Sequence, residues 1–352
     1  MQYGVSFHEK LEPEDIRSAG FHWTEIRWDR KVESDLPVSG IVIPLQEAAA
    51  QMSQLLPRVQ KLQAHYIVIE TAGCDSLDVM EQLIDSCADM IRENAVPIYI
   101  ENGFTGDEIS GYRHCDYSEA EVLRQIADYG NEKTGTGLFG VCINIGYGNL
   151  LAQDVRGMLD ITAEYLKLVH VNDNDGFHNV KQMPYTFTQG RGSQTTDWEH
   201  IIGAMIRSGF DGWFVFDTDG LFGRTPGQLE KQMLKLLYAM AEDWQTMFHY
   251  EDFLAEGHRK IILFGTGRMA AGYMHTWGSK FPPVFLVDNN TDLWGQEKYG
   301  FPVKAPEAIL EIPEKERRVL LCSGFYREIG AQLTSMGIPY TRYSDQYFEC
   351  VM

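Results

Sequence analysis

The chain has 352 residues, 44% hydrophobic and 23% charged, with 50 acidic against 30 basic side chains and a formal net charge of −20. That length and composition describe a soluble globular protein large enough for more than one unit. The surplus of negative charge argues against a nucleic-acid partner, because phosphate backbones are bound by clustered Lys and Arg.

The acidity is uneven. Residues 1–245 carry a net charge of −18 and residues 246–352 only −2. Six cysteines lie far apart with no C-x-x-C pair, which reads as reduced thiols rather than a disulfide frame or a zinc knuckle. The N-terminal "MQYGVSFHEK" has neither a basic n-region nor an apolar h-region, and no apolar run is long enough to span a bilayer. A cytoplasmic protein with no membrane partner is expected.

In chain order, short apolar runs with β-type residues occur at Gln2–Phe7, His22–Trp28, Gly40–Leu45, His65–Glu70, Val96–Glu101, Gly140–Ile145, Leu166–Val171 and Gly212–Asp217. Helical patterns separate them, among them "EAAAQMSQLLPRVQKLQ", "DSLDVMEQLIDSCADMIREN", "SEAEVLRQIADYG" and "TTDWEHIIGAMIRSG". Nearly continuous hydrophobic strands alternating with helices predict a parallel sheet covered on both faces. Eight such units fit the length of a (β/α)8 TIM barrel, with an open doubly wound sheet as the alternative.

"PGQLEKQMLKLLYAMAEDWQ" would be the last barrel helix, and "MFHYEDFLAEGHRK" reads as a connector. The alternation then restarts with "IILFGTGRMAAGYMHTW", "PVFLVDNN", "RVLLCSG" and "GIPYTRYS". The expected domains are therefore a barrel over 1–247 and a small Rossmann-like α/β domain over 248–352. In the second, Gly265, Gly267 and Ala270 fit G-x-G-x-x-A between a strand and a helix, and Asp288 ends the next strand. That arrangement suits a dinucleotide-type phosphate turn, with Gly265, Gly267 and Asp288 as candidate cofactor contacts. One half of a dinucleotide fold makes hydride transfer unexpected, and an interaction domain is the other reading.

Active sites of parallel barrels lie at the C-terminal ends of the strands. There the sequence offers His8 and Glu9, Glu25, Glu70, Glu101, Asn144, His170 and Asp217. Carboxylate, amide and imidazole groups converging from strands 5 to 8 would suit Mn²⁺ or Mg²⁺, with the histidine admitting a softer ion such as Zn²⁺. Such an ion can hold an α-hydroxycarbonyl while flanking carboxylates remove and return a proton.

From "VPIYIENG" through "CINIGYGNLLAQDVRGMLDITAEYLKLVHVNDNDG" to "TQGRGSQTTDWEHIIGAMIRSGFDGWFVFD" the sequence resembles the sugar phosphate isomerase/epimerase superfamily with its xylose isomerase-like barrel. The resemblance covers most of 1–245 and is strongest from Val96 onward. It implies that Glu101, Asn144, His170 and Asp217 are metal ligands, with Glu101 and Asp217 also the catalytic acid/base pair. Four positions depart from the family pattern: Asn144 stands for Asp, Tyr147 for His, Leu168 for the first His of strand 7, and Asp217 for Glu. An amide lacks the carboxylate's charge, which weakens a metal site.

His8, Glu70, Tyr147, Asp173 and Arg191 are the candidate substrate contacts. In the loop "TQGRGSQTTDW", Gly190 and Gly192 let the backbone approach a ligand and Arg191 could clamp an anion; otherwise the loop is a turn whose Thr195 or Thr196 caps the next helix. The stretch "VDNNTDLWGQEKYGFPVKAPEAI" is similar to Rossmann-like domains attached to sugar-modifying and polysaccharide-biosynthesis enzymes, which implies a nucleotide or nucleotide-sugar only loosely.

The leading expectation is a metal-assisted sugar isomerase, epimerase or lyase with a small sugar-like substrate. The alternative is a non-catalytic carbohydrate- and nucleotide-binding regulatory protein. An AP-endonuclease-like activity is disfavoured by the acidic barrel and because the several histidines of a multi-metal nuclease site are missing. The sequence does not fix the oligomeric state, and a homo-oligomer stays open.

Overall fold

The computed structural model describes residues 1–30, 36–187 and 196–343. The chain divides into two compact units, Met1–Trp244 and Gln245–Met352.

Each of the eight apolar runs of the first unit becomes a strand: Gln2–Ser6, Trp23–Arg27, Val38–Pro44, Tyr66–Glu70, Ile98–Glu101, Phe139–Asn144, Leu166–Val171 and Trp213–Phe216. The fifth starts two residues later than the apolar run, because Pro97 has no N–H to give a ladder. All neighbours pair in parallel, and the first strand also pairs with the eighth, Gln2 opposite Trp213 and Val5 opposite Phe216. The sheet therefore closes into a barrel, and the open doubly wound alternative is excluded.

The helices pack through one apolar stripe each. Leu45–Leu62 buries Leu45, Ala48, Met52, Leu55, Leu56 and Val59 at helical spacing. The helix after the seventh strand spans Trp198–Ser208, and its cap differs from the expected threonines. Asp197 caps it, accepting from His200 N at 3.3 Å. The Thr196 hydroxyl is committed elsewhere, donating to Asp173 Oδ1 at 3.0 Å. Thr195, together with Gly190, Arg191 and Gly192, lies outside the described residues.

The expected connector is helical. Helix Gly227–Phe248 is followed by helix Tyr250–Ala255, since no Gly or Pro interrupts the sequence before Gly257. The second unit is a six-stranded mixed sheet in the order Glu297–Lys298, Phe301–Lys304, Pro283–Val287, Lys260–Phe264, Arg317–Leu321, Thr341–Arg342. The first pair is antiparallel and the remaining pairs are parallel. Ile262, Phe264, Val287, Val319, Leu321 and Leu333 lie in its core. No helix among the described residues is long and apolar enough to cross a membrane.

Candidate active site at the barrel mouth

Strand side chains alternate between faces with period two, and this builds the site in layers. Tyr66, Val68, Tyr99, Cys142, Leu168 and Val215 form a buried apolar layer inside the barrel. Two residues further along their strands stand Glu70, Glu101, Asn144, His170 and Asp217, which therefore face the same interior one layer higher. Leu168, where the resemblance expects a histidine, belongs to the layer below. Gly40 makes room for this filling: a Cβ there would sit 2.0 Å from the Tyr66 ring.

His170 is the hub. Its Nδ1 lies 2.5 Å from Glu101 Oε1, and its Nε2 lies 2.9 Å from Glu25 Oε1, an ion-pair contact without hydrogen-bond alignment. Both carboxylates and the ring are almost wholly buried. Burial works against the imidazolium, but the neighbouring Cys142, Glu25 and Glu101 raise His170 well above its ordinary 6.5. Burial raises Glu101, against the opposing pull of His170. A single proton held between Nδ1 and Oε1 satisfies both directions. Tyr66 Oη donates to Glu25 Oε2 at 3.0 Å and fixes the far carboxylate.

Asn144 links the two carboxylates named as the acid/base pair. Its Nδ2 donates to Glu101 Oε1 at 2.9 Å and to Asp217 Oδ2 at 3.4 Å. Its oxygen faces the other way, accepting from Tyr147 N at 3.2 Å and Asn172 Nδ2 at 2.9 Å. Because the Tyr147 backbone N–H can only donate, it fixes the Asn144 oxygen on that side.

Asp217 has a second partner that sequence reasoning missed. Lys181 Nζ lies 2.7 Å from Asp217 Oδ2, with the two side chains 18% and 9% exposed. Burial alone would raise Asp217, but Lys181 first, then His170, hold it below its ordinary value. The environments thus push Glu101 up and Asp217 down, the pattern of an acid and a base sharing one site. Lys181 also lies over the Tyr147 ring at 5.5 Å, and Tyr147 Oη donates to Glu70 Oε1 at 3.3 Å. Arg27 Nη1 reaches Glu70 Oε2 at 3.2 Å.

Glu25, Arg27, Glu70, Glu101, His170, Lys181, Asp217 and Asp219 line one cavity with about 30 Å³ of free space, close to the volume of one water molecule. A sugar must displace something to enter. Arg27 and Asp219, like Lys181, were not singled out from the sequence. The only signal for Arg27 was its spacing of two from Glu25 on the second strand.

The other expected contacts are spread more widely. His8 is outside the cavity, near Gly223, and its Nδ1 accepts from Lys10 N at 3.2 Å. Asp173 is fully buried but organises a loop: Oδ1 accepts from Asn174 N at 2.9 Å and from Thr196, and Oδ2 from Phe187 N at 3.2 Å. Its carboxylate is spent on backbone and hydroxyl donors and does not line the cavity.

The donor set bears on a metal ion. The structure brings Glu101, Asn144, His170 and Asp217 together, yet Asn144 presents N–H rather than oxygen and Asp217 is paired with an ammonium. As this chain arranges them, the four do not fit an ion. A different buried trio, Glu101, Cys142 and His170, has donor atoms within 4.8 Å of one another and could hold one.

In the second unit Gly265, Gly267 and Asp288 line a larger cavity of about 900 Å³, together with Arg268, Phe325 and Arg342. Gly265 has φ +110, and a Cβ there would lie 2.5 Å from Cys322 O, so the turn needs glycine. Asp288 is engaged locally: Oδ2 accepts from Thr266 Oγ1 at 2.8 Å and Oδ1 from Asn290 N at 2.9 Å.

Solved structures share the barrel. That of an L-ribulose 3-epimerase is 13% identical, with 73% of this chain and 98% of that chain covered and a TM-score of 0.50. That of a D-tagatose 3-epimerase-like protein is 12% identical, with coverage of 71% and 99% and a TM-score of 0.50. At this identity they speak to the fold. No curated protein matches the sequence. The family model of the xylose isomerase-like TIM barrel matches residues 44–239, more than half of the chain, and the chain belongs to that family.

Proposed function

We propose that the barrel is a sugar isomerase or epimerase that moves a proton at a carbon next to a carbonyl. The observation carrying this reading is that one amide, Asn144 Nδ2, bonds both Glu101 and Asp217, so the two carboxylates stand on either side of that amide and both line the same cavity. A substrate carbon lodged in the cavity over the amide can lose a proton to one and regain it from the other on the opposite face. Asp217, held ionised beside Lys181, is the base; Glu101, sharing a proton with His170, is the acid. The electron pair left on carbon moves onto the carbonyl oxygen, and the return of the proton restores it, so no redox partner is required. The solved L-ribulose 3-epimerase of the same fold acts on a sugar by name, which supports a sugar-type substrate here. Arg27, Glu70 and Asp219, which line the same cavity, would bind its hydroxyls.

The test is incubation with a panel of ketoses and keto-sugars, followed by chromatography of the products. An epimer or aldose–ketose isomer made by the wild type, and lost in Glu101→Gln and Asp217→Asn, is the expected outcome. Ligand-induced stabilisation without conversion across the panel would favour the non-catalytic carbohydrate-binding reading instead.

A second reading, a Zn²⁺ ion held by Glu101, Cys142 and His170, is supported by the proximity of their donor atoms and by their thiol and imidazole chemistry; when bound, it would polarise a substrate oxygen. Stoichiometric metal in the purified protein, reduced by Cys142→Ala, tests it. For the second unit we propose a Rossmann-like role in binding a nucleotide or nucleotide-sugar, supported by its 900 Å³ cavity around the Gly265–Gly267 turn. Thermal shifts with ADP, UDP and NAD, compared between wild type and Gly267→Asp, test that assignment.

A further inference from the structure

Three hydrogen-bond donors fill the space between the carboxylates of the barrel mouth. Asn144 Nδ2 reaches Glu101 and Asp217, His170 Nδ1 reaches Glu101, and Lys181 Nζ reaches Asp217. A divalent cation bridging these carboxylates would need the same positions. The exchange of acceptor for donor at residue 144 and the arrival of an ammonium at Asp217 are complementary: each satisfies a carboxylate oxygen that would otherwise need a cation.

Lys181 is held in place by its backbone. The flanking residue Gln182 exchanges two bonds with Asp173, 2.8 and 2.9 Å, and Lys181 O accepts from Leu221 N at 3.2 Å. On the other side Val180 O fits against Gly220, where a Cβ would be 1.8 Å away. Lys181 itself has φ +43, a left-handed conformation that a long side chain adopts only where its surroundings enforce it. Two clamps and a strained residue aim one ammonium at Asp217.

We propose that Lys181 is a catalytic residue that replaces a metal ion as the fixed cation of the barrel site, its N–H donating to the substrate oxygen as that oxygen gains charge. This rests on the proton-transfer reading. Asp217 takes the proton from carbon, the electron pair passes to the carbonyl oxygen, and Lys181 stabilises the enolate through a charge-assisted hydrogen bond without giving up its proton. Glu101 then delivers a proton to carbon, and the carbonyl re-forms.

The experiment is direct Mn²⁺ titration by calorimetry on the EDTA-treated full-length protein, with melting curves with and without EDTA. Wild type and Lys181→Arg are expected to bind no stoichiometric Mn²⁺ at micromolar levels and to melt alike in EDTA. Lys181→Met, which removes the like charge, is expected to tighten Mn²⁺ binding by at least about tenfold. Stoichiometric micromolar Mn²⁺ binding by wild type that Lys181→Met leaves unchanged would overturn the proposal. If Lys181→Met does not fold, wild type decides alone: tightly bound metal whose removal lowers the melting temperature overturns it, and its absence supports it. Neither readout depends on turnover, so failure of the isomerase reading would appear separately, as no conversion of any ketose.

Discussion

His170 is bracketed by two carboxylates, with Nδ1 2.5 Å from Glu101 Oε1 and Nε2 2.9 Å from Glu25 Oε1. An acidic oxygen at each nitrogen favours the protonated ring, its Nδ1 proton shared with Glu101, and the ring ties the second, fifth and seventh strands together at the mouth. Truncation leaves two buried carboxylates facing each other without their shared cation. His170→Gln should therefore cost about 3–5 kcal/mol of stability, the range for breaking a buried ion pair, read by denaturant unfolding. The sign of its pH dependence follows from the raised pKa. The contribution is fully present below the ordinary 6.5, declines as pH rises above it, and is gone once pH has passed the higher folded value. The wild-type advantage should thus be level below about pH 6 and shrink steadily from about pH 7 into the alkaline range.

Asp217 has the opposite sign. Its pKa is held below 3.8, so its pairing with Lys181 stabilises the fold above that value and fades as pH falls through the folded one. The stability gap between wild type and Lys181→Met should be open at neutral pH and close in acid, as followed by acid-unfolding curves.

Asn144→Asp inserts a third carboxylate between Glu101 and Asp217 while keeping the oxygen that caps Tyr147. Like charges in a buried site resist ionisation. The variant should lose more melting temperature at about pH 8 than at about pH 5, and Mn²⁺ should recover part of the loss. A variant equally stable at both values would mean the site is better solvated than its burial indicates.

Gly220→Ala should act at a distance. The new methyl meets Val180 O, and moving that carbonyl shifts Lys181. A loss of about 1–3 kcal/mol is expected from overpacking, with Mn²⁺ titration resembling that of Lys181→Met. Gly227→Ala is the control: nothing lies within 4 Å of its Cβ position, and a change within about 0.5 kcal/mol is expected.

Leu168→His would restore the histidine that the resemblance expects and should still be harmful. Leu168 is fully buried in the apolar layer with Cys142 and Val215. A polar ring there costs about 2 kcal/mol or more without a partner, visible as a lower midpoint in urea. The position is now part of the barrel's filling rather than its mouth.

The contrast between Leu168 and Lys181 explains how much could be read from sequence. Strand residues were legible because apolar runs fix the strands and period two fixes the face. That placed Glu101, Asn144, His170 and Asp217 together above Tyr99, Cys142, Leu168 and Val215. Lys181 was not legible, since it lies outside any strand or helix, where its placement depends on the Asp173–Gln182 bridge and the Gly220 contact, neither of which has a periodic signature. Asp173 reads as a ligand contact in sequence because a buried loop-holding carboxylate and a substrate-binding one look alike there. The stretch to Ala255 reads as a connector because its own helix, Tyr250–Ala255, is only six residues long, too short for a period to stand out.

The central claim, that Asp217 and Glu101 exchange a proton with a substrate carbon, is tested most directly by solvent isotope incorporation. Metal-free wild type would be incubated in D₂O with a keto-sugar shown to bind, and deuterium followed by NMR. The account predicts deuterium at the carbon next to the carbonyl, lost in Asp217→Asn and, in Glu101→Gln, confined to sugar that has not been epimerised. A bound keto-sugar that gains no deuterium, or one labelled equally by both variants, would contradict it.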